Sequence, residues 1–529
     1  MNMKKLVSIL VVASLVLGFS IILLPKTTFS LVPPDPNEVW VDDDGPDNGY
    51  DHFDTIQEGV NAVEDGGTVH VKAGSYEESI TISKNLSLIG ETGAVIKAPA
   101  APEDAKIEES QSYFEYIIGV FGGTYNAGED KWEGTGTINV NISGFKIDGQ
   151  NNGTGTSRRF VGVLWRNATG EFRNCSIHNM YGPSGDGTGE QTFGILVYGD
   201  SNVTLAENTI RDFSRGGIGI MGDASCLPDP VVTIESNKIY GFDETPSTGW
   251  WAENGIQIGY GATGTVKENE VYNCYVNNPS WAATGILVVD TENVTINSNY
   301  LESNDQAIGI VDFPSAYGFP WNVYNVNNVL VTNNIIEKNK WGIGISNDAR
   351  NITVSNNKLL NNTNDAIDVW NYGYGDPSPT DVEIHYNDIY GNGWGLWTDD
   401  LQTDTVDATN NYWGANDGPS GDGPGSGDSV VGNVDYTPWL RRTESDTGDA
   451  LVYFTPGASP AEWRIVIPSK GYDTGWMPFD RFRSSGGYMS GYYADNRYRL
   501  ILNYYPSGMY RIIFYDRREG ISLKITGRG

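Results

Sequence analysis

The sequence contains few of the residues that build disulfide scaffolds and metal centres. Its 529 residues include only three cysteines and four histidines. An exported scaffold held by disulfides would carry more cysteines, in an even number. Cys175 stands where the repeats described below place asparagine, which predicts a small buried residue, whereas a bridge between Cys226 and Cys274 is left open. So few histidines argue against a histidine-rich copper or zinc centre.

Positively charged residues are also scarce. Lysine and arginine together number 34, against 67 aspartates and glutamates, which leaves a formal net charge of −33. A field this negative repels nucleic acids and polyanionic sugars unless cations mediate the contact. The charge balance therefore excludes nucleic acid as a partner and favours neutral ligands or ligands bridged by calcium.

The sequence contains one long apolar run, which follows Lys4 and Lys5 and ends at Leu24. A basic start followed by an apolar core is typical of an export signal, so residues 1–30 are predicted to direct export. The run is also just long enough to span a membrane, which leaves an uncleaved N-terminal anchor as the alternative. No later segment is apolar enough to span a bilayer. The remaining chain is therefore predicted to be secreted or held at the cell surface.

What the sequence does contain is a strand-turn-strand repeat along most of its length. One half reads Gly-apolar-x-apolar, as at 194–197, and the other reads apolar-x-x-Asn-x-apolar, as at 205–210. The inward isoleucines recur at spacings as short as 22 residues, from Ile286 to Ile308. Periods of this length indicate stacked supersecondary units. Three short strands and an asparagine turn per period predict an all-β rod, the parallel β-helix.

The asparagines of the second half-repeat are predicted to form a structural ladder. Equivalent residues of successive coils lie ~4.8 Å apart, so stacked amides can bond to one another and satisfy the backbone groups of the turn. The column comprises Asn208, Asn237, Asn269, Asn299, Asn334, Asn357, Asn387 and Asn411.

The two ends of the repeat differ from its middle. Ile56, Val60 and Val63 fall on one helical face, which predicts a short amphipathic helix that caps the first coil. With its caps, the rod is predicted to occupy residues 38–440. From residue 441 onward the chain is basic, with 13 Lys or Arg against 9 Asp or Glu, and residues 443–529 are predicted to form a small separate β-domain.

Two motifs mark the ends of the rod. They read Asp42-Asp43-Asp44 with Phe53-x-Thr55-Ile56-Gln57 at the start, and Asn411-Tyr412-Trp413-Gly414 with Asp435-Tyr436-x-Pro438-Trp439 at the end. With the asparagine-turn repeats, they resemble the secreted right-handed parallel β-helix repeat proteins of the pectate-lyase-like superfamily, over roughly residues 38–440. The resemblance implies a right-handed helix whose ligands lie on the Gly-Ile sheet, between two sets of loops. Because that superfamily includes lyases, glycosidases, epimerases and adhesins, it does not fix an activity.

Aspartates and tryptophans are predicted to converge at the C-terminal end of the Gly-Ile sheet. Inverting glycosidases need two carboxyl groups ~6.5–9.5 Å apart, and Asp368 and Asp399 are predicted to lie on a diagonal of roughly 8 Å between adjacent coils. Residues 364–368, Asn-Asp-Ala-Ile-Asp, resemble the Asn-Thr-Asp motif of polygalacturonase-type hydrolases, whose Gly-His-Gly and Arg-Ile-Lys motifs are absent. The alternatives are a sugar-contacting cluster without catalysis and solvated strand-end aspartates. The predicted catalytic residues are Asp368, Asp399, Asp400 and Asp365, and the predicted substrate-binding residues are Trp370, Trp397, Tyr198, Gln257 and Trp321.

A row of aspartates follows the same strands, and Asp290, Asp312 and Asp348 are its predicted metal ligands. Carboxylates stacked one coil apart would repel one another, and a shared Ca²⁺ would relieve that repulsion. Turn capping by the same side chains is the alternative. Calcium is therefore the only cofactor predicted. Arg166 is the one cation predicted on the outward positions of the sheet, and because a lyase of this fold needs a basic residue in the groove, cleavage of polyuronates is disfavoured.

The sequence thus predicts an exported β-helix protein that binds extracellular or cell-wall polysaccharide along its Gly-Ile sheet. Whether it is an enzyme is left open, with hydrolysis favoured over lyase chemistry. The alternative is a non-catalytic surface protein or adhesin in which the C-terminal domain anchors the rod or mediates self-association. A third hypothesis, a periplasmic factor for metal-cofactor assembly, is disfavoured by the scarcity of His, Met and Cys.

Overall fold

The computed structural model describes residues 36–45, 48–107, 113–153, 158–181, 191–222, 227–241, 252–276, 282–317, 324–440, 451–455, 460–467, 472–485, 488–495, 497–504, 509–518 and 521–528. The predicted export segment, Cys226 and Trp321 lie outside these residues. Within them, no helix combines the length and apolar character needed to cross a bilayer.

Three long sheets, named sheet A, sheet B and sheet C, wind together into a rod. Successive strands of the chain enter the three sheets in turn, as in the coil formed by Asn202–Ala206, Thr209–Arg211 and Gly216–Met221. Equivalent strands of neighbouring coils pair in parallel. This arrangement confirms the predicted all-β parallel β-helix.

The strand bounds follow the repeat. Sheet A consists, in spatial order, of His52–Phe53, Glu38–Val41, Thr68–Val71, Leu86–Gly90, Ile138–Ser143, Ala168–Arg173, Asn202–Ala206, Val231–Glu235, Thr263–Lys267, Glu292–Asn297, Asn327–Thr332, Arg350–Ser355, Thr380–His385, Val406–Asp407 and Val434–Asp435. Sheet B consists of Gly74–Glu77, Ala94–Lys97, Lys146–Asp148, Ser176–His178, Thr209–Arg211, Lys238–Tyr240, Glu270–Tyr272, Tyr300–Glu302, Ile335–Glu337, Lys358–Leu360 and Asp388–Tyr390.

Sheet C carries the Gly-Ile units. It consists of Thr124–Asn126, Lys131–Glu133, Glu103–Ile107, Tyr113–Phe121, Arg158–Arg166, Gln191–Tyr198, Gly216–Met221, Asn254–Gly259, Thr284–Val289, Gln306–Val311, Trp341–Ser346, Asp365–Trp370, Trp394–Thr398, Gly427–Val431 and Pro419–Gly421, with Ile80–Ile82 paired to Tyr113–Phe121.

The interior of the rod is filled by stacked aliphatic side chains. Ile195 pairs with Ile218, Ile218 with Ile256 and Ile256 with Ile286 on successive strands of sheet C. All four side chains have no exposed surface. Because one face of each strand points inward, the two-residue alternation of the sequence fixes which residues fill the core and which face solvent.

The predicted asparagine ladder is present. From Asn208 to Asn411, each Nδ2 donates to the Oδ1 of the next asparagine at 2.9–3.0 Å. Cys175 precedes the ladder, and its backbone N–H donates to Asn208 Oδ1 at 3.0 Å. Cys175 is buried, as predicted, and Cys274 is a free buried thiol, so the bridge left open for Cys274 is not formed.

A second asparagine ladder, which the sequence analysis missed, runs along the other end of sheet B. Its members lie five residues after those of the first ladder. The backbone N–H of Cys274 donates to its first amide, and Asp428 accepts from its last at 2.8 Å. The amides in between donate to one another at 2.8–3.1 Å, in the order Asn304, Asn339, Asn362 and Asn392.

A short helix, α1 (Ile56–Ala62), closes the first coil as predicted. The side chain of Thr55 caps it by accepting a hydrogen bond from the backbone N–H of Glu58. Ile56 and Val60 are buried against the core of the rod. The helix therefore covers apolar side chains that would otherwise be exposed at the open end of the solenoid.

The C-terminal residues form the predicted small β-domain, which has its own core around Trp463 and Phe514. Its first sheet contains Leu451–Thr455, Glu462–Ile467, Tyr472–Asp473 and Met477–Pro478. Its second sheet is antiparallel and contains Arg481–Ser485, Tyr488–Ala494, Tyr498–Tyr504, Met509–Asp516 and Ile521–Arg528.

This basic domain contacts the acidic rod at the turns between sheet A and sheet B. Arg483 forms an ion pair with Glu207, and Arg481 forms one with Glu268 at 3.2 Å. The Arg511 guanidinium lies 4.1 Å from the centre of the Tyr300 ring. The domain thus lies away from the outer face of sheet C, which stays clear of these contacts.

Candidate functional site

The outer face of sheet C presents three columns of side chains. The middle column follows the register predicted from the sequence, and strand pairing confirms it from Leu196 to Trp397. A further column, which starts each strand, was not considered in the sequence analysis apart from Asp365. It comprises Phe193, Gly216, Asn254, Thr284, Gln306, Trp341, Asp365 and Trp394.

The N-terminal part of this face is covered by an apolar cluster. Phe114, Leu164, Phe193 and Leu196 pack there with side chains of the added strand Glu103–Ile107. Two predicted substrate-binding residues lie in this part. Tyr198 is 5% exposed and packs in the cluster, and Gln257 is 3% exposed and accepts from Asn254 Nδ2. Both side chains therefore present little surface to a ligand.

The middle column changes to glycine in the C-terminal part of the face. Gly309 and Gly344 occupy successive coils, and the Gln306 amide lies over both. A β-carbon on Gly344 would collide with Gln306 Nε2 and would lie 3.3 Å from Asp368 Oδ2. The absence of side chains at these glycines therefore makes room for the Gln306 amide, next to the Asp368 carboxyl group.

Asp368 is the most unusual side chain of the face. It is 9% exposed, and its Oδ1 atom is buried without a hydrogen-bond partner. Burial, together with the nearby charge of Asp365, raises the pKa of Asp368 to about 8. A carboxyl group with this pKa holds its proton at neutral pH and can donate it.

Asp365 is the second carboxyl group on the same strand. It is half-buried, and burial raises its pKa above the ordinary value. Trp341 and Trp394 lie on the strands on either side of it, while Trp397 lies beside Asp368 on the next strand. Burial thus raises the pKa of both carboxyl groups, and carboxyl groups with shifted pKa values are frequent at acid-base sites. Tryptophan faces suit the apolar faces of sugar rings.

Asp399 and Asp400 lie one coil further along. Asp399 is diagonal to Asp368, as predicted, but its oxygens accept hydrogen bonds from the backbone N–H groups of Asn371 at 2.8 Å and Leu401 at 3.1 Å. Asp400 is exposed in the following turn. Asp399 therefore holds the turn, and Asp365 is the carboxyl group whose charge acts on Asp368.

The predicted metal ligands lie near the end of the sheet C strands. Asp290 Oδ1 accepts from the backbone N–H of Phe313, and Asp312 Oδ2 accepts from that of Val326, both at 2.8 Å. Asp348 is displaced by one residue from their column and is paired with Arg350. Burial raises the pKa of Asp290 to about 7 and that of Asp312 to about 6.

These three carboxylates do not bring their oxygens together. Among the described residues, one group of three or more potential ligands has its ligand atoms within 4.8 Å of one another, namely Asp42, Asp43 and Asp44 at the N-terminal cap. The turn-capping alternative accounts for the hydrogen bonds of Asp290 and Asp312, and calcium binding stays a prediction.

The cations of this face also differ from the prediction. Arg166 has no exposed surface, and its guanidinium donates to the carbonyl groups of Gly122 and Gly134. Two arginines that the sequence analysis did not consider, Arg159 and Arg215, lie at the starts of their sheet C strands. Their position before the Gly-Ile unit is the signal that could have revealed them.

Comparison with protein families fixes the handedness of the rod. Residues 132–312 and 193–375 match the model of the right handed beta helix region. The rod that contains these residues is a right-handed parallel β-helix. No curated protein sequence matches it.

Solved structures of other right-handed β-helix proteins are similar at low identity. A surface adhesin of Streptococcus pneumoniae is 12% identical with a TM-score of 0.47, covering 83% of this chain and 92% of the adhesin. The polygalacturonase of Erwinia carotovora is 13% identical with a TM-score of 0.38, covering 71% and 96%. The A-module of a mannuronan C-5 epimerase from Azotobacter vinelandii is 16% identical with a TM-score of 0.33, covering 66% and 92%.

The raised pKa of Asp368 predicts a pH-dependent stability. Between pH 4 and pH 8 the folded protein keeps a proton on Asp368 that the unfolded chain has lost. The free energy of unfolding should therefore fall as the pH rises through this window, by up to about 1.4 kcal/mol per pH unit from this group. Asp368→Asn removes this dependence, so the variant should become more stable than the wild type as the pH approaches 8.

Urea unfolding at pH 5, 6, 7 and 8 measures this difference. Asp381→Asn, at an exposed position on sheet A, is the matched control and should follow the wild type. Parallel pH curves for Asp368→Asn and the wild type would contradict the prediction.

Proposed function

We propose that this protein is exported, binds extracellular or cell-wall polysaccharide along the outer face of sheet C, and hydrolyses it at Asp368 and Asp365. The observation that carries the proposal is the buried Asp368 carboxyl group, which has one partnerless oxygen and lies with the Gln306 amide over Gly344. Burying a polar group without a hydrogen-bond partner destabilises the fold. Buried carboxyl groups with strongly shifted pKa values concentrate at functional sites. Trp341, Trp394 and Trp397 supply the flat surfaces on which sugar rings would stack.

The two carboxyl groups have the roles that glycoside hydrolysis needs. Asp368, protonated at neutral pH, donates its proton to the glycosidic oxygen as the bond from that oxygen to the anomeric carbon breaks. The Asp365 carboxylate accepts a proton from the water molecule whose oxygen bonds to the anomeric carbon. Solvent then returns the proton from Asp365 to Asp368. Asp365 is close enough to Asp368 for its charge to act on that carboxyl group, and the mechanism requires the two carboxyl groups to lie ~6.5–9.5 Å apart, which leaves room for water in inverting enzymes.

A second candidate function is a non-catalytic surface protein that associates with itself. It is favoured by the strand Ile521–Arg528, which among the described strands pairs on one side only and so forms an edge of the second C-terminal sheet. Edge strands present free N–H and C=O groups that can pair with another chain. Under this candidate, the C-terminal domain links copies of the rod.

Substitution of an exposed tryptophan tests the binding surface. Trp394 is 43% exposed beside Asp365, and Trp476 in the C-terminal domain is 45% exposed. For a plant and bacterial cell-wall glycan array followed by calorimetry on the best ligand, we expect Trp394→Ala to weaken binding about tenfold. Trp476→Ala is the matched control and should bind like the wild type. If no glycan binds while the full chain sediments as an oligomer, the second candidate is supported instead.

A further inference from the structure

A cavity lies between sheet B of the rod and the second sheet of the C-terminal domain. Its volume is about 400 Å³, including its opening to solvent, and small-molecule sites have volumes of about 300–1,000 Å³. Neither carboxyl group of the proposed hydrolytic pair lines it. The charged and hydroxyl-bearing side chains that line it and matter below are Lys358 and Asp388 from the rod, and Arg499, Tyr515, Asp516 and Arg517 from the domain.

Two side chains of this cavity carry buried hydrogen-bond donors without an acceptor. Arg499 is 3% exposed, and its Nη2 donates to Ser298 Oγ at 3.3 Å and to the carbonyl group of Asn333. Its Nε, in contrast, is buried with no hydrogen-bond partner among the described residues, and so is the hydroxyl group of Tyr515. Buried donors left unpaired destabilise a fold. An acceptor bound in the cavity would lie beside both side chains.

Three positively charged side chains surround the same cavity. Lys358 is 5% exposed, and its Nζ lies 4.0 Å from the centre of the Tyr515 ring. Arg517 is exposed at the edge of the cavity. Burial lowers the pKa of Arg499 to about 10, and the positive charge of Arg517 contributes to this shift. Like charges gathered around a partly buried space favour the entry of an opposite charge.

The two carboxylates of the cavity each lie beside another cation. Asp516 Oδ2 accepts from Arg497 Nη2 at 3.0 Å and from the Tyr472 hydroxyl at 2.6 Å. Asp388 is the register partner of Lys358 on the neighbouring strand of sheet B. Within the described part of the chain, no ion pair forms at the two arginines that remain, Arg499 and Arg517. Their charges are therefore the ones that a ligand could neutralise.

We propose that this cavity binds a small oxyanion, either free phosphate or sulfate or the same group on a small organic molecule. The Arg499 guanidinium and the Tyr515 hydroxyl would donate hydrogen bonds to its oxygens, and Lys358 and Arg517 would balance its charge. Because Lys358 belongs to the rod and the other three residues to the domain, the bound anion would hold the domain against the rod. This inference is independent of the proposed hydrolysis on sheet C.

Calorimetric titration of the full chain in a chloride buffer of fixed ionic strength tests the proposal. The probes are inorganic phosphate, sulfate and glycerol 1-phosphate. The wild type should bind at least one of them saturably at one site per chain, and that probe should raise the Tm, because it binds the folded state. Tyr515→Phe keeps the ring beside Lys358 and removes only the hydroxyl donor, so it should weaken binding about tenfold. Arg499→Gln should abolish binding.

Two matched controls carry the same changes outside the cavity. Arg464→Gln removes one positive charge from the C-terminal domain, and Tyr436→Phe removes one hydroxyl group from the rod; both should bind like the wild type. Circular dichroism establishes that each variant is folded, and Tyr515→Phe suffices if Arg499→Gln does not fold. Tighter binding of inorganic phosphate or sulfate would identify a free ion, and tighter binding of glycerol 1-phosphate a phosphate on an organic group. The proposal is overturned if no probe binds the wild type, or if Tyr515→Phe and every folded Arg499 variant bind as tightly as the wild type does.

Discussion

Asp368→Asn should lower the rate of polysaccharide hydrolysis about 10²–10⁴-fold while leaving the affinity for the polysaccharide within a fewfold of the wild type. General acids contribute rate enhancements of this size. The variant amide has nearly the shape of the protonated carboxyl group, so the Gln306 amide over Gly344 and the neighbouring tryptophans should keep their positions. A loss of kcat without a loss of binding would show that Asp368 acts on the transition state.

The pH dependence of the rate identifies the roles of the two carboxyl groups. Activity should fall as the pH rises through about 8, because Asp368 then loses the proton that it must donate. Asp365→Asn should lower the rate strongly, and its residual activity should lack the acidic limb of the profile, because the carboxylate form of Asp365 is the active one. Release of reducing sugar from the best ligand of the glycan array measures each rate.

Two controls make this result decisive. Asp381→Asn carries the same change on sheet A and should keep the full rate. Asp399→Asn should reduce the rate only through loosening of the turn at Asn371 and Leu401. Full activity in Asp368→Asn would contradict the assignment of Asp368 as the general acid. If Asp399→Asn were inactive and Asp365→Asn fully active, Asp399 would be the carboxylate that activates water.

The fold could be predicted from the sequence because the same residue pattern recurs in successive coils. The Gly-Ile units and the ladder from Asn208 to Asn411 repeat from coil to coil, and the helix α1 is a short local pattern at one end of the repeat. In a solenoid each coil contacts only its neighbours, so register within one coil determines contacts between coils. The relative positions of Asp368, Trp397 and Asp399 could therefore be predicted from the repeat, and strand pairing confirms them.

The site was harder to predict because its chemistry depends on burial. Trp341 and Trp394 precede the Gly-Ile unit, a position that the predicted outward columns do not include. The sequence also could not show that Asp399 is turned to backbone N–H groups while Asp368 is left with a partnerless oxygen. These differences arise from side-chain orientation, which alternation along a strand does not specify.

The second asparagine ladder shows the same limit for a structural feature. Asn304, Asn339 and Asn362 each lie five residues after a member of the first ladder, so the pattern was present in the sequence. It was concealed because asparagine is frequent throughout the repeat, and only the structure distinguishes stacked amides from those that adopt turn conformations, such as Asn333 with φ +62°. Cys274 occupies the position before Asn304 in this ladder, and its backbone N–H donates to the Asn304 amide, which accounts for its burial.

Asn299→Leu should cause the largest loss of stability among single substitutions in the rod. Asn299 is 1% exposed, and its Oδ1 accepts from both the backbone N–H and the Nδ2 of Asn269 at 3.0 and 2.9 Å. Its Nδ2 donates to the Val266 carbonyl and to Asn334 Oδ1. Leucine fills the space but leaves the N–H of Asn269 and the carbonyl of Val266 buried without partners. At about 2 kcal/mol for each, the free energy of unfolding should fall by about 4 kcal/mol.

Urea unfolding followed by tryptophan fluorescence measures this loss. The matched control is Asn297→Ala, two residues away, whose half-buried side chain accepts from Ser298 and Asn333 outside the ladder. The control should lose less than about 1 kcal/mol. Equal midpoints for the two variants would mean that stacked amides add no more than any surface asparagine. In that case the coils would be held together by their aliphatic interior and backbone pairing alone, and the ladder would serve only to set the geometry of the turn.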